Sequence, residues 1–153
     1  MRQIFVVRHA KAGNRDTWTD PDELRPITAS GRAQAEGLVG LLDERGVSTI
    51  ASSPYVRCVQ TVEPLAETLG LEIATEPALA EGARLGATLR WLHAAADGTV
   101  GCSHGDVLGN LIDHLLGQGV KGADPSLMKK GATWVVEARN GSFKRATYLP
   151  PPA

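Results

Sequence analysis

Ile4-Phe5-Val6-Val7-Arg8-His9 is an uninterrupted apolar run that breaks directly into two basic side chains. Four consecutive apolar residues with no polar alternation are the pattern of a strand covered on both faces, as in a parallel sheet with helices above and below. Arg8 and His9 then stand at the carboxyl end of that strand, the edge at which open α/β sheets bind ligands.

The polar loop that follows leads to Thr28, a suitable N-cap for a helix reaching about Arg45, with Ala35, Leu38, Val39 and Leu42 on one stripe and Gly46 beyond its end. Val47 to Ala51 reads as a second strand. Ser52-Ser53-Pro54 predicts a helix start, with a serine capping open N–H groups and Pro54 at the first helical position, which puts Arg57 in the first turn. Val59, Val62, Ala66 and Leu69 mark the buried stripe of that helix, Pro64 bends it and Gly70 ends it. Leu71 to Ala74 is a short strand, and Gly86 to Ala96 a helix with Leu85, Leu89 and Leu92 along one face. Thr99 to Ser103 is the next strand, with His104-Gly105 at its carboxyl end, and Val107 to Leu116 the last helix. Thr133 to Ala138 and Phe143 to Tyr148 flank Asn140-Gly141, a dipeptide suited to a tight hairpin with positive φ. Strands alternating with helices give an α/β fold: a three-layer α/β/α sandwich whose mainly parallel sheet carries an antiparallel edge. Residues 1–149 form the single domain expected, and 150–153 a disordered tail.

A chain of 153 residues suits one domain, and 42% hydrophobic with 22% charged residues suits a folded one. With 16 Lys+Arg against 17 Asp+Glu the formal charge is -1, which predicts no nucleic-acid partner and no anionic membrane surface. Any anion site is therefore local. The apolar run at the N-terminus is too short for a signal peptide and no stretch approaches a membrane span, so a soluble, cytoplasmic protein is expected. Cys58 and Cys102, the only cysteines, lack zinc-ligand spacing and read as reduced, packed thiols, with a structural disulfide as the alternative.

Strand ends bring together Arg8-His9, the turn from Ser53 to Arg57, and His104. Arg8 and Arg57 carry planar donor forks that match phosphate oxygens, and a helix N-terminus near Pro54 adds N–H groups of the same polarity. A neutral imidazole can attack phosphorus, and two adjacent arginines disfavour its protonation, which makes His9 the candidate nucleophile. His104 can donate to an equatorial oxygen as charge spreads in the transition state. The sequence shows no Walker-type glycine loop and no paired acidic cluster, so no cofactor and no metal is expected. Glu81 reads either as a general acid for the leaving group or as a surface carboxylate. Lys11 either attracts anions or is a plain loop lysine, Trp18 is placed to wall the pocket, and Thr61 to support the Arg57 guanidinium. His93, His114, Trp91 and Trp134 fall in regular elements and receive no role.

Arg8-His9-Ala10, Ser52-Ser53-Pro54-Tyr55-Val56-Arg57-Cys58-Val59-Gln60-Thr61, Leu79-Ala80-Glu81-Gly82 and Cys102-Ser103-His104-Gly105, in that order, resemble the histidine phosphatase superfamily. The resemblance runs from Ile4 to about Glu137 and includes Gly131-Ala132 before the late strand. It implies a phosphoglycerate mutase-like fold and a phosphohistidine intermediate on His9, with Arg8, Arg57 and His104 binding phosphate. The short length is most similar to small phosphohistidine phosphatases of signalling relays, and next to the phosphatase-like domain following a Nudix domain in some nucleotide hydrolases. No Nudix domain is read in these residues. Ala10 stands where many members have glycine, and Asn14 is off the spacing of the phosphate-contacting asparagine of the mutase branch.

The expected activity is metal-independent hydrolysis of phosphohistidine, a phosphoanhydride or a small phosphomonoester. The partner is accordingly a phosphorylated small molecule or a phosphohistidine protein. The competing readings are a phosphoryl transferase or mutase, which needs insertions around a two-ended substrate that this chain lacks, and a non-catalytic phosphate-binding module, which need not keep a nucleophile.

Overall fold

The structure, a computed structural model, describes residues 1–152. Six strands form one sheet in the order β3-β2-β4-β1-β5-β6. They are β1 (Arg2–Arg8), β2 (Thr49–Ser52), β3 (Ile73–Thr75), β4 (Thr99–Ser103), β5 (Thr133–Arg139) and β6 (Ser142–Leu149). β1, β2, β3 and β4 pair in parallel, whereas β5 runs antiparallel to β1, and β6 to β5. Four helices cover the sheet: α1 (Ala29–Leu42), α2 (Val56–Leu69), α3 (Leu85–Ala94) and α4 (Gly105–Gly117). None is long and apolar enough to cross a membrane.

The apolar run of β1 is buried on both sides because alternate side chains enter two separate cores. Ile4 and Val6 pack with Trp134, Val136 and the α4 residues Leu108, Leu111 and Ile112. Phe5 and Val7 pack with Val100, Cys102, Val135 and residues of α1 and α2, including Leu38, Leu42, Val62 and Leu65. α1 and α2 thus cover one face and α3 and α4 the other, the three-layer arrangement the pattern predicts. Asn140 and Gly141 turn the β5–β6 hairpin with φ of 53° and 80°, the geometry of a two-residue turn that matches strand twist.

Several boundaries differ from the sequence expectation. α1 ends at Leu42, not near Arg45, although Thr28 caps it as read, accepting from the Gly31 N–H at 3.1 Å. α2 begins at Val56, with Tyr55 as its N-cap and Pro54 outside the helix. Ser53 Oγ instead accepts the Tyr55 N–H at 3.2 Å and faces His104, so a side chain from the residue just after β4 overrides the expected helix cap. The buried stripe of α2 is Cys58, Thr61, Val62, Leu65 and Ala66, with Val59 and Leu69 only half-buried. On α3, Leu92 and Thr88 are buried while Leu85 and Leu89 are half-buried. Cys58 and Cys102 are buried free thiols. In the C-terminal segment, Pro151 and Pro152 are half-buried, and a Cβ on Gly37 would meet Pro152 at 2.4 Å. Ala153, the end of the expected tail, lies outside the described residues.

Candidate active site at the carboxyl ends of β1 and β4

β1 and β4 are adjacent and parallel, yet the helices that follow them lie on opposite faces of the sheet. The crevice between their carboxyl ends is a topological switch point, where open α/β sheets bind ligands. Chain connectivity alone therefore brings Arg8-His9 and His104 to one place. A cavity of about 860 Å³ opens there, walled among others by Arg8, His9, Asn14, Arg15, Glu81 and His104.

The backbone around His9 is tied on every side. Its N–H donates to the Ser103 carbonyl at 3.0 Å, and the Gly131 N–H donates to the carbonyls of both Arg8 and His9, at 3.1 and 3.0 Å. The next amide, Ala10 N–H, donates to Thr61 Oγ1 at 2.9 Å, and the Thr61 hydroxyl in turn donates to the Arg57 carbonyl at 2.7 Å. Thr61 therefore fastens α2 to the end of β1, and does not hold the Arg57 guanidinium as the sequence reading had it.

His9 is 6% exposed, and its Nδ1 lies 2.8 Å from the Ala10 carbonyl. A carbonyl only accepts, so Nδ1 carries the proton and Nε2 is left with its lone pair. Burial is the main reason that the His9 pKa falls to about 3; the Ala10 hydrogen bond opposes the fall, and the nearby charges of His104, Arg57 and Arg8 add to it. The ring is neutral at physiological pH.

His104 lies edge-on to His9, ring centroids 5.5 Å apart, and edge-on to Tyr55 at 4.8 Å. Its Nε2 pairs with Ser53 Oγ at 2.8 Å, with Cys58 Sγ at 3.5 Å. Its Nδ1 is buried without a hydrogen-bond partner, 3.9 Å from a Glu81 oxygen. Arg57 is fully buried, stacked over Tyr55 at 4.9 Å. Its Nη1 donates to the Asp22 carbonyl at 2.9 Å, and its Nη2 to Asp22 Oδ2 at 3.0 Å and Glu81 Oε1 at 3.2 Å. Arg8 donates to the Met128 carbonyl, and the absence of a side chain at Gly105 makes room for its guanidinium. Among the described residues, four buried side-chain N or O atoms lack a partner, and three belong to this site: Arg8 Nε, Arg57 Nε and His104 Nδ1. Orphaned buried donors are rare in folded proteins. Arg8 and His104 also line the cavity, where unpartnered nitrogens suit an anion, whereas Arg57 is buried behind Asp22 and Glu81 and is not part of the cavity wall.

Glu81 joins the site through Arg57 and through Arg15, whose Nη2 is 2.9 Å away. Asp22, which the sequence reading passed over, is the hub of the cationic shell: it contacts Arg57 and Arg25 at 3.0 Å and Arg15 at 3.7 Å. Its carboxyl pKa is lowered: burial pushes it up, but the hydrogen bonds from Arg25 and Arg57 prevail. Asp22 opens a single 3-10 turn, Asp22–Leu24, which Arg25 ends, and so short a turn has no apolar periodicity to mark it. Their only sequence cue is an acidic cluster, Asp20, Asp22 and Glu23, followed by Arg25 ahead of the Thr28 cap. Asn14 lines the cavity and Lys11 does not. Trp18 is half-buried, donating to the Pro21 carbonyl at 3.0 Å, and is not part of the cavity wall. His93 and His114 border a different cavity.

Comparison with known proteins agrees with this geometry. Residues 4–84 match the family model described as histidine phosphatase superfamily (branch 1). The chain is 37% identical over 157 residues to a protein of Mycolicibacterium smegmatis named 8-oxo-(d)GTP phosphatase, covering 99% of this chain and 49% of that one. It thus spans about half the length of that relative. The fold superposes on the protein histidine phosphatase SixA complexed with tungstate, with a TM-score of 0.78 at 21% identity over 99% of this chain and 96% of the other. For the alpha-ribazole phosphatase from Shigella flexneri the TM-score is 0.72 at 18% identity, over 99% and 96% of the two chains. Four motifs in order, the switch-point crevice that unites them and the family match place this chain in the histidine phosphatase superfamily.

Proposed function

We propose that the protein is a phosphatase in which His9 Nε2 is the nucleophile. The observation that carries this reading is the His9 Nδ1 to Ala10 carbonyl hydrogen bond of 2.8 Å, which fixes the tautomer with the Nε2 lone pair free on a cavity-lining ring. In the first half-reaction that lone pair forms an N–P bond while the bond from phosphorus to the leaving group breaks, its electrons departing with the leaving group. In the second, a water oxygen forms the new P–O bond, the N–P electrons return to Nε2, and orthophosphate leaves. Arg8, Arg57 and His104 bear the charge that develops on the phosphoryl oxygens, using donors already fixed in place. When the Ser53 hydroxyl donates to His104 Nε2, the His104 proton sits on the orphaned Nδ1, where it serves as such a donor. Glu81 is the acid for leaving groups that need a proton. No step requires a metal.

The substrate class comprises phosphohistidine, phosphoanhydrides and small phosphomonoesters. The relative named 8-oxo-(d)GTP phosphatase supports an anhydride among these. Rapid quench with a labelled substrate tests the mechanism: an acid-labile, base-stable phosphoenzyme is expected, absent in His9→Ala. Label on another residue, or full turnover by His9→Ala, refutes it.

A further inference from the structure

The cavity beside His9 is larger than a single phosphoryl group needs, falling at about 860 Å³ within the roughly 300–1,000 Å³ range of small-molecule sites. Its wall carries four cations, Arg8, Arg15, Arg25 and Lys130, against two carboxylates, Glu81 and Asp106. Arg8 and Arg15 are accounted for by the phosphoryl site and by Glu81. Arg25 is paired with Asp22 through one nitrogen only, and Lys130 has no carboxylate partner among the described residues.

Arg25 is a buried arginine with a side chain only 6% exposed. Two of its nitrogens are held: Nε by Asp22 Oδ1 at 3.0 Å, and Nη1 by the Gly13 carbonyl. Nη2 makes no hydrogen bond among the described residues, although the guanidinium lines the cavity. A fork locked at two points with its third nitrogen open is preorganised for an anion. Lys130 lines the same cavity and has no carboxylate within 4.0 Å among the described residues. Its backbone is fixed: Gln34 Nε2 donates to its carbonyl at 3.2 Å, and the following amide, Gly131 N–H, binds the Arg8 and His9 carbonyls. Lys130 is an exposed residue at the cavity rim; partial desolvation, and then repulsion from Arg8, Arg25, Arg15 and Arg57, lowers its pKa. Its ammonium, without a carboxylate partner and carried by an anchored backbone beside the β1 end, adds to the positive potential of the cavity wall.

We propose that Arg25 and Lys130 form a second anion subsite next to the phosphoryl site, which takes the phosphate retained when the substrate carries two or more linked phosphoryl groups. The open Nη2 of Arg25 supplies directed N–H donors and Lys130 an uncompensated charge, a pairing that suits the several oxygens of a phosphate better than the two of a carboxylate. The subsite rests on the reading of His9 as the reacting end. It narrows the substrate class to phosphoanhydrides, with His9 attacking the terminal phosphorus and the subsite gripping the leaving phosphate, which departs as a weakly basic anion.

Calorimetric binding of methylenediphosphonate, which cannot be hydrolysed, against orthophosphate tests this on the whole chain. The wild type is expected to bind the diphosphonate at least about ten-fold tighter, as charge-assisted hydrogen bonds to a second phosphate predict. Lys130→Gln and Arg25→Lys should each cut that preference about ten-fold, whereas Lys129→Gln, a neighbour outside the cavity wall, should keep it. Equal wild-type affinity for the two ligands overturns the subsite, as does a preference that survives both substitutions. Phosphonoacetate matching the diphosphonate would assign the subsite to a carboxylate and overturn the anhydride reading. Because binding is read without turnover, a failure of the phosphatase reading, seen as missing phosphoenzyme, remains separate from a failure of the subsite.

Discussion

Replacing Gly105 by alanine should separate catalysis from stability. Gly105 is the first residue of α4 and needs no left-handed backbone, so alanine fits its local conformation. The added Cβ, however, would lie 2.8 Å from Cζ and Nη2 of Arg8 and 3.0 Å from its Nε. Ordinary contacts of this kind are about 3.5–4.0 Å, so the guanidinium must retreat by about 0.7–1.2 Å. It is the end of a flexible side chain and can do so. Stretching its bond to the Met128 carbonyl costs up to about 1 kcal/mol. Reduced freedom of the unfolded chain returns about 0.4–1 kcal/mol. These effects nearly cancel, so urea unfolding should place the variant within about 1 kcal/mol of the parent. Catalysis has no such compensation, because misplacement by about 1 Å can cost on the order of 100-fold. Steady-state kcat/KM on 4-nitrophenyl phosphate should fall about 10- to 100-fold. A folded Gly105→Ala enzyme with parental kcat/KM would refute the role given to Arg8 and to the space beside it.

Thr61→Val removes the acceptor of the Ala10 amide and the donor to the Arg57 carbonyl, and should destabilise by about 1–3 kcal/mol in urea unfolding; unchanged stability would show that the link between β1 and α2 is dispensable. His9 titrates at about 3 in the fold against about 6.5 when unfolded, so between these values the unfolded chain binds the extra proton. Its contribution to stability is present above pH 6.5 and is lost as pH falls toward 3, with a slope approaching about 1.4 kcal/mol per pH unit. Unfolding measured at pH 4.5 and 6.5 should show that slope reduced in His9→Asn, and an identical slope would mean that the imidazole is not held neutral. Glu81→Gln should damage turnover of alkyl phosphomonoesters far more than that of aryl phosphates or anhydrides, because only an alkoxide needs a proton to depart; equal kcat/KM losses across substrates of graded leaving-group pKa would make Glu81 a binding residue.

Residues whose position follows from chain connectivity were legible from sequence. The four-residue apolar run fixed β1 between two cores, and with it the place of Arg8 and His9. Thr99 to Ser103 could be bounded to the residue because His104-Gly105 interrupts the run. Asn140-Gly141 needed only local turn chemistry. What escaped were relations between side chains from different elements. Ser53 looked like a helix cap, since nothing in its neighbourhood reveals that His104 arrives from just after β4. Thr61 was assigned to the guanidinium one turn away, whereas the Ala10 amide reaches it first. Asp22 and Arg25 bound a short 3-10 turn placed by contacts with Gly13 and Arg57, and no hydrophobic period passes through it.

Asp22 and Glu81, which hold Arg57 in the ligand-free protein, also bear on how a turnover ends. If Arg57 binds phosphate as proposed, an arriving phosphoryl group would meet an arginine already engaged by two resident carboxylates, and part of its attraction would be spent in displacing or sharing them. When orthophosphate is the product, the same carboxylates stand ready to reclaim the guanidinium. On the proposed mechanism the site would thereby carry its own competitors against product inhibition, trading tight capture of phosphate for prompt release of it.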